Sequence, residues 1–559
     1  MSLQDRDQHH VLRYETDVLV IGAGLSGLVA ASMAYAAGKR VAIVDQEPAA
    51  SSGGQAHWSF GGLFMVGTPE QRRLGVKDSA ELALGDWLAS AAFDRPEDAY
   101  GRSWAEAYVD FAAGPMRSWL KNLGVGFFPL VQWAERGGYG PLGHGNTVPR
   151  FHVAWGTGPA VVRPFLDKVR EGVAAGRISL HYRHRASSLV QDSGAVTAVA
   201  GEVLEPSTAA RGERSTRTVV GHFQAAAGAV VVTTGGIGGN HDAVRSQWPG
   251  GQAPDYMLSG VPASVDGEFL RVAASVRANL INGDRMWHYP EGIHNHDPVW
   301  PMHGIRILPG PSSLWLDAEG RQLPAPLFPG FDSQGALQHI AATGHSHSWF
   351  VLNRTIALKE LALSGSEQNP DLTGKDIRLL LSRLKPGGDT PIERFLQRGV
   401  DFVQGSSITE LAGRMNNLAG GELISAADLQ ALVSARDLQV SSGLGKDPQL
   451  AAIRAARRFA TDRLMRVAPP HRLTDPEHGP LIAIRLSVVT RKSLGGLQTD
   501  LRSRVLGIDG HPVTGLYAAG EAAGFGGGGI HGYWALEGTF LGSCLLTGRV
   551  AGTEAAASV

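Results

Sequence analysis

Gly22, Gly24 and Gly27 stand in the spacing GxGxxG, and Asp45 follows 23 residues after the first of them. These residue types suit a dinucleotide. Gly22 permits a tight turn, Gly24 lets backbone approach a pyrophosphate, and Gly27 lets a helix pack closely on a strand. The N–H groups opening that helix would face the phosphates, and Asp45 would accept from a ribose hydroxyl. A second group lies at the far end of the chain, where GFGGGGIHGYWALEGTFLG (524–542) holds His531 and Tyr533. Glycine loses more backbone freedom on folding than any other residue. Its density here predicts either a loose surface loop or backbone running against something large and flat.

The elements that must position these residues are readable nearby. TDVLVIGAGLSGLVAASMAYAAGKRVAIVD (16–45) gives a buried strand over 18–21, the glycine turn, an alanine-rich helix ended by Gly38, and a second strand over 41–44. Short continuous apolar runs of this kind belong to parallel sheets covered on both faces, which points to an α/β fold. A further glycine-rich loop, SSGGQAHWSFGGLF (51–64), exceeds what a simple NAD domain needs. Two more apolar runs end in glycines, AVVVTTGGIGGN (229–240) and GLYAAGEAAGFGGGG (515–529), as expected where strand ends meet an extended cofactor.

At 559 residues the chain predicts two or three structural units. Its formal net charge of −1 offers no broad attraction to nucleic acid. The single cysteine, Cys544, permits no internal disulfide and reads as a small buried side chain. The first sixteen residues are polar, without the apolar core of a secretory signal, and no stretch is long and apolar enough for a membrane span. A soluble, cytoplasmic protein is expected. SSLVQDSGAVTAVAGEVLEP (187–206) reads as a hairpin, and TFLGSCLLTGRVAGTEAA reads as a closing helix.

The motifs VIGAGLSGL, GGQAHWSFGG, VVTTGGIGGN, KSLGGLQTD and GLYAAGEAAG with the following GGIHG carry a resemblance over essentially the whole length. The chain resembles the FAD-dependent family of succinate dehydrogenase and fumarate reductase flavoproteins, aspartate oxidase and 3-ketosteroid dehydrogenases. More narrowly, it is similar to a bacterial group of FAD-binding dehydrogenases. The resemblance implies a discontinuous Rossmann-like FAD-binding domain, residues 1–284 and 490–559, with an inserted α+β capping domain at 285–489. The cofactor-binding positions it implies are Gly22, Gly24, Leu25, Ser26, Gly27, Asp45, Gln46, Gly54, Gln55, Ala56, Gly61, Gly62, Gly235, Gly520, Glu521, Thr539 and Leu541. Glu521 would hold the ribityl hydroxyls, and the bare backbone of 524–529 would lie against the flavin. Succinate dehydrogenases attach FAD to a histidine at the position held here by Gln55, with His57 two places away, so non-covalent FAD is expected.

For catalysis, the resemblance to ketosteroid dehydrogenases implies that Tyr533 and the Gly538 N–H polarise a substrate carbonyl. The family's base is a tyrosine of the cap, and 285–489 contains one, Tyr289, beside His288. Either could carry the proton, and WHYP also reads as an aromatic packing group, just as Tyr533 also reads as a core tyrosine. Lys492 replaces the histidine of fumarate reductases and Ala535 one of their arginines, while another falls near Gly330. A dicarboxylate would then need a substitute clamp from Arg285, Arg306 or Arg491, with Lys492 and Arg491 also suited to an anionic substrate group or the flavin. His288, His294, His296 and His303 lack the framework of a metal site, and no metal is expected. The expected reaction is hydride transfer at a carbon–carbon bond beside a carbonyl, in an apolar, steroid-like ketone held among Trp287, Tyr289, Trp300 and Tyr533. The alternatives are a carboxylate reductase or oxidase, and a non-catalytic flavoprotein subunit. The partners expected are a small carbonyl compound and an electron acceptor or donor that the sequence does not name.

Overall fold

The computed structural model describes residues 11–137, 139–140, 143–383 and 390–559; the polar opening over 1–10 lies outside the described residues. Strand β1 (Val11–Ile21) runs between two parallel neighbours, β2 (Val41–Asp45) and Val219–Val232. Leu19 sits opposite both Ala42 and Val230, and Val18, Leu19 and Val20 are wholly buried. A strand enclosed on both faces has no polar side, which is why its sequence shows no alternation. The sheet continues outward to Ile178–Tyr182 on one edge and to Pro512–Ala518 and Arg504–Leu506 on the other. The expected hairpin is present as His184–Asp192 and Ala195–Leu204, joined through Ser193 and Gly194, and pairs antiparallel onto Val219–Val232.

Helix α1 (Leu25–Ala36) packs on the closing helix Thr539–Ala557. The approach is close because two glycines face it. A Cβ on Gly548 would lie 2.6 Å from the Ser26 carbonyl oxygen, and one on Gly552 would lie 2.2 Å from that of Ala30.

A second sheet takes the order Leu314–Leu316, His347–Asn353, Leu481–Ser493, Met286–His294, Gly304–Leu308, Ala362–Leu363. Its centre is the thirteen-residue strand Leu481–Ser493, whose Ile482, Ala483, Ile484 and Leu486 are wholly buried. Met257–Ser259 and Phe402–Gly405 pair with the same strand. The second sheet therefore draws strands from 257 to 493, a wider span than 285–489, because Met257–Ser259 lies parallel to Val488–Thr490. At the end of this strand Lys492 and Ser493 stay paired with Trp287 and Met286, and Arg491 and Lys492 reach a cavity. Among the described residues, no helix is long and apolar enough to cross a membrane.

Candidate active site

A cavity of about 750 Å³ takes its walls from both sheets. Away from the second sheet it is lined by Gly22, Gly24, Leu25, Ser26, Asp45, Gln46, Gly54, Gln55, Ala56, Gly61, Gly62, Gly235, Glu521, Gly538 and Leu541. The three glycines of the first turn divide their work. A Cβ on Gly22 would lie 2.7 Å from the Thr233 carbonyl oxygen, and one on Gly27 would lie 2.0 Å from that of Gly22, so both sit tight on protein. A Cβ on Gly24 would meet nothing within 4 Å. Gly24 also caps α1 with no side-chain bond to the first-turn N–H groups, which leaves them for a ligand.

Around this wall the acids are held in place. Asp45 accepts from the N–H groups of Ala23 at 2.6 Å and Glu47 at 2.8 Å, while burial raises its carboxyl to about 6. Glu521 accepts from Gln55 Nε2 and from the Ser493 N–H, both at 2.8 Å. Gly520 and Thr539 support the wall from behind. Gly520 has φ +67°, and a Cβ there would lie 2.3 Å from Ser26 Oγ; Thr539 bonds the Leu536 carbonyl and lies 3.2 Å from His531 Nε2.

The second sheet brings ionisable groups to the same cavity. Strand Met286–His294 carries Tyr289, and the end of Leu481–Ser493 carries Arg491 and Lys492. Lys492 Nζ donates to the Tyr289 hydroxyl at 2.7 Å, and that hydroxyl donates to Glu537 Oε1, also at 2.7 Å. Arg306 lies over the Tyr289 ring at 3.6 Å and donates to Glu537 at 2.7 Å and to Glu135 at 2.9 Å. Ser333 ties the acids together: its N–H donates to Glu135 Oε1 at 2.8 Å, and its hydroxyl lies 2.9 Å from Glu135 Oε2 and 2.8 Å from Glu291 Oε1.

This network spreads the pKa values apart. Burial pushes Lys492 down to about 7, with Glu537 opposing and Arg491 assisting. Burial raises Glu537, but the Arg306 and Lys492 charges overcome it and hold the carboxyl at about 2. Glu135 goes the other way, lifted by burial to about 8 against the pull of Arg306. The Tyr289 hydroxyl is pushed well above its ordinary range by burial and by the Glu537 charge. An amine poised near neutrality, touching a tyrosine in a cavity, is equipped to move a proton.

A family model described as an FAD binding domain matches residues 17–541. The chain belongs to the FAD binding domain family. It is 58% identical over 547 residues to a KsdD-like steroid dehydrogenase of Mycolicibacterium smegmatis, covering 98% of this chain and all of that one. A 3-ketosteroid Δ1-dehydrogenase from Sterolibacterium denitrificans, solved with 1,4-androstadiene-3,17-dione, shares the fold at a TM-score of 0.67 and 16% identity, covering 98% of this chain and all of that one. The open conformation of a flavocytochrome c3 fumarate reductase has a TM-score of 0.64 at 21% identity, covering 98% of this chain and 78% of that one. FAD is the cofactor, and the open first turn of α1, the bare Gly24 and the Glu521–Gln55 pair are the features here that fit it.

Several positions expected at the FAD site lie elsewhere. The glycines of 526–529 do not line the cavity. A Cβ on Gly526 would lie 3.1 Å from the Trp104 ring, one on Gly527 2.6 Å from the Gly101 nitrogen, and one on Gly528 2.6 Å from Ile281. They serve close packing against the helix Asp98–Ala113 and its surroundings, and Phe525 is the member of this segment that reaches the cavity. Tyr533 is also outside. Its hydroxyl donates to Asp94 at 3.1 Å, and its ring carries the Arg285 guanidinium at 4.1 Å. His288 stacks on Trp248 at 5.7 Å and its Nδ1 accepts the Arg491 N–H at 3.0 Å. Burial holds that imidazole down at about 3, so it is neutral and occupied.

Arg285 is bound to Asp98 at 2.6 Å and Asp94 at 3.0 Å, which removes it as a clamp for a dicarboxylate. His294, His296 and His303 go to separate partners: Asp401, the Phe395 ring and the Trp300 ring. Trp287 is buried and reaches Glu537 through Nε1 at 3.3 Å, whereas Trp300 lines the cavity. Cys544 lines the cavity too, with burial pushing its thiol up to about 12, so it is an apolar wall and not a nucleophile.

Sequence reading missed Glu537, Glu135, Glu291 and Ser333. One signal was available: Glu537 is the lone Asp, Glu, Lys or Arg between Glu521 and Arg549.

Proposed function

We propose that this chain dehydrogenates a carbon–carbon bond next to the carbonyl of a steroid-like ketone, and that Lys492 and Tyr289 move the proton. The single observation that carries the reading is the Tyr289 hydroxyl held in the cavity between Lys492 and Glu537 at 2.7 Å on each side. The identity of 58% to a KsdD-like steroid dehydrogenase supports the same substrate class.

The bound FAD supplies the acceptor for the hydride that leaves the substrate's neighbouring carbon. For Tyr289 to take the proton alpha to the carbonyl, its hydroxyl turns from Glu537 toward the neutral Lys492 amine, which accepts the hydroxyl proton as the alpha proton arrives. The ionised Glu537 holds the hydroxyl at rest and does not keep its proton, since the Glu537 carboxyl sits at about 2. Gly538, at φ +92°, opens the nineteen-residue helix Thr539–Ala557 on the cavity wall. That helix end places positive potential where an enolate oxygen would form, a large part of such catalysis. Trp58, Phe60 and Trp300 supply apolar surface for fused rings and keep water from the reacting carbon.

FAD is held non-covalently in this reading, because Gln55 stands at the attachment position and His57 is not on the cavity wall. Supernatant that stays yellow after acid precipitation supports it; a yellow pellet overturns it. The chain would work in the cytoplasm with an electron acceptor that completes the cycle, and its one cysteine is in keeping with a reducing compartment.

The test is anaerobic mixing of the oxidised holoenzyme with a saturated 3-ketosteroid and, separately, with succinate. Bleaching of the flavin by the ketone, with a product two hydrogens lighter, is the expected result. Bleaching by succinate alone, or by neither, would overturn the reading.

A further inference from the structure

Of the arginines that line the cavity, Arg306 and Arg491 stand nearest the Tyr289–Lys492 pair, and their surroundings differ. Arg306 is enclosed by acids, with Glu537 at 2.7 Å, Glu135 at 2.9 Å and Glu291 at 3.5 Å. Its charge is spent on the protein. Among the described residues, Arg491 has no carboxylate within 4 Å, and its side chain's hydrogen bond is a long one, to Ser364 Oγ at 3.4 Å. Glu367 lies in its neighbourhood beyond ion-pair distance, and burial lifts that carboxyl to about 7.

The seat of Arg491 is shaped for it. A Cβ on Gly260 would come within 2.6 Å of Arg491 Nε, so the missing side chain there is what lets the guanidinium lie across this backbone. Beside it the cavity wall is aromatic: Trp300 stacks on His303 at 3.6 Å and meets Trp58 edge-on at 5.3 Å. A guanidinium withdrawn from water without a counter-ion is costly, and a planar carboxylate is its best-fitting partner. Lys492 follows it directly in the strand, so the anion would lie on the same substrate as the reacting carbon, yet on a different group from the carbonyl.

We propose that the substrate carries a carboxylate remote from its reacting ketone, and that Arg491 binds it and makes the enzyme selective for steroid-like keto acids. This rests on the ketone dehydrogenation proposed above.

The experiment compares a ring ketone bearing a side-chain carboxylate with its methyl ester, using the FAD-loaded full chain. Wild type should show a KM for the acid about 10- to 100-fold below that for the ester, the range a charge-assisted bond gives. Arg491→Gln should raise the acid's KM by a similar factor, shift the ester's KM far less and leave the flavin spectrum as it was. Arg491→Lys, which keeps the charge, should recover part of the preference and shows that loss in the first variant is not misfolding. Equal handling of acid and ester by wild type overturns the proposal. So does a parallel loss on both compounds with an altered flavin spectrum, which would place Arg491 on the cofactor. Turnover of neither compound by wild type instead removes the dehydrogenation reading, and this inference falls with it.

Discussion

Gly24 and Gly527 both sit in glycine-rich turns, but a side chain on the first would extend into the cavity and one on the second would strike the Gly101 backbone at 2.6 Å. Tyr289 and Tyr533 repeat the contrast, the one buried on the cavity wall and the other outside it, bonded to Asp94. In each pair the residue type is the same and the neighbour differs. Glycine reports that something comes close, without saying whether it is a ligand or the protein's own chain. A tyrosine reports a hydroxyl and not what that hydroxyl faces.

The contrast between the tyrosines should break first. Tyr289→Phe is expected to lower turnover by about 10²- to 10⁴-fold, the usual worth of a positioned proton carrier, with FAD content unchanged. In wild type, turnover should rise as pH climbs through about 7, because below that value Lys492 already holds its proton and cannot take another. Lys492→Met should abolish that rise. A pH profile that keeps its shape in this variant would assign the titration to another group.

Next come the glycines. Gly24→Val fills the open side of the first turn and should weaken FAD binding by about 10- to 100-fold, as overpacking of this order does. Fluorescence titration of apoprotein with FAD reads it, and the fold should persist. Gly527→Ala should act in the reverse sense. Gly527 has φ +67°, so the variant loses about 1–3 kcal/mol from backbone strain alone, seen as a lower denaturation midpoint. Equal losses of FAD affinity in both variants would erase the distinction.

Tyr533→Phe should do least. Turnover within about 3-fold of wild type is expected, since a single hydrogen bond outside the cavity is worth about 0.5–1.5 kcal/mol to stability at most. A loss on the scale of Tyr289→Phe would return Tyr533 to the reacting groups.

The first-sheet half of the site was legible because its determinants are local. Gly22, Gly24, Gly27 and Asp45 belong to one strand–helix–strand unit, so their spacing states their geometry. The acid–base group is assembled differently. Glu135, Tyr289, Arg306, Ser333, Lys492 and Glu537 come from six places along the chain and meet through sheet pairing, such as Trp287 opposite Lys492. Nothing in their separations encodes that meeting. Tyr289 and Lys492 were found by resemblance. Glu537 stood as an isolated acid in an apolar segment, and its meaning depends on Arg306, 231 residues away. The density of glycine over 524–529 cannot by itself distinguish a flat ring from the protein surfaces these residues meet, Trp104 at Gly526 and Gly101 at Gly527 among them.

The strand Leu481–Ser493 is anchored at both extremities, by the second core at its start and by Glu521 and Ile237 at Ser493. It is a beam shared by two packed cores, with Lys492 one residue from the Ser493 anchor. Any movement of one core against the other is smallest at that anchor and grows with distance from it, so Lys492 is the part of the cavity wall least displaced. The alignment on which each turnover depends is thereby tied to the stiffest part of the molecule.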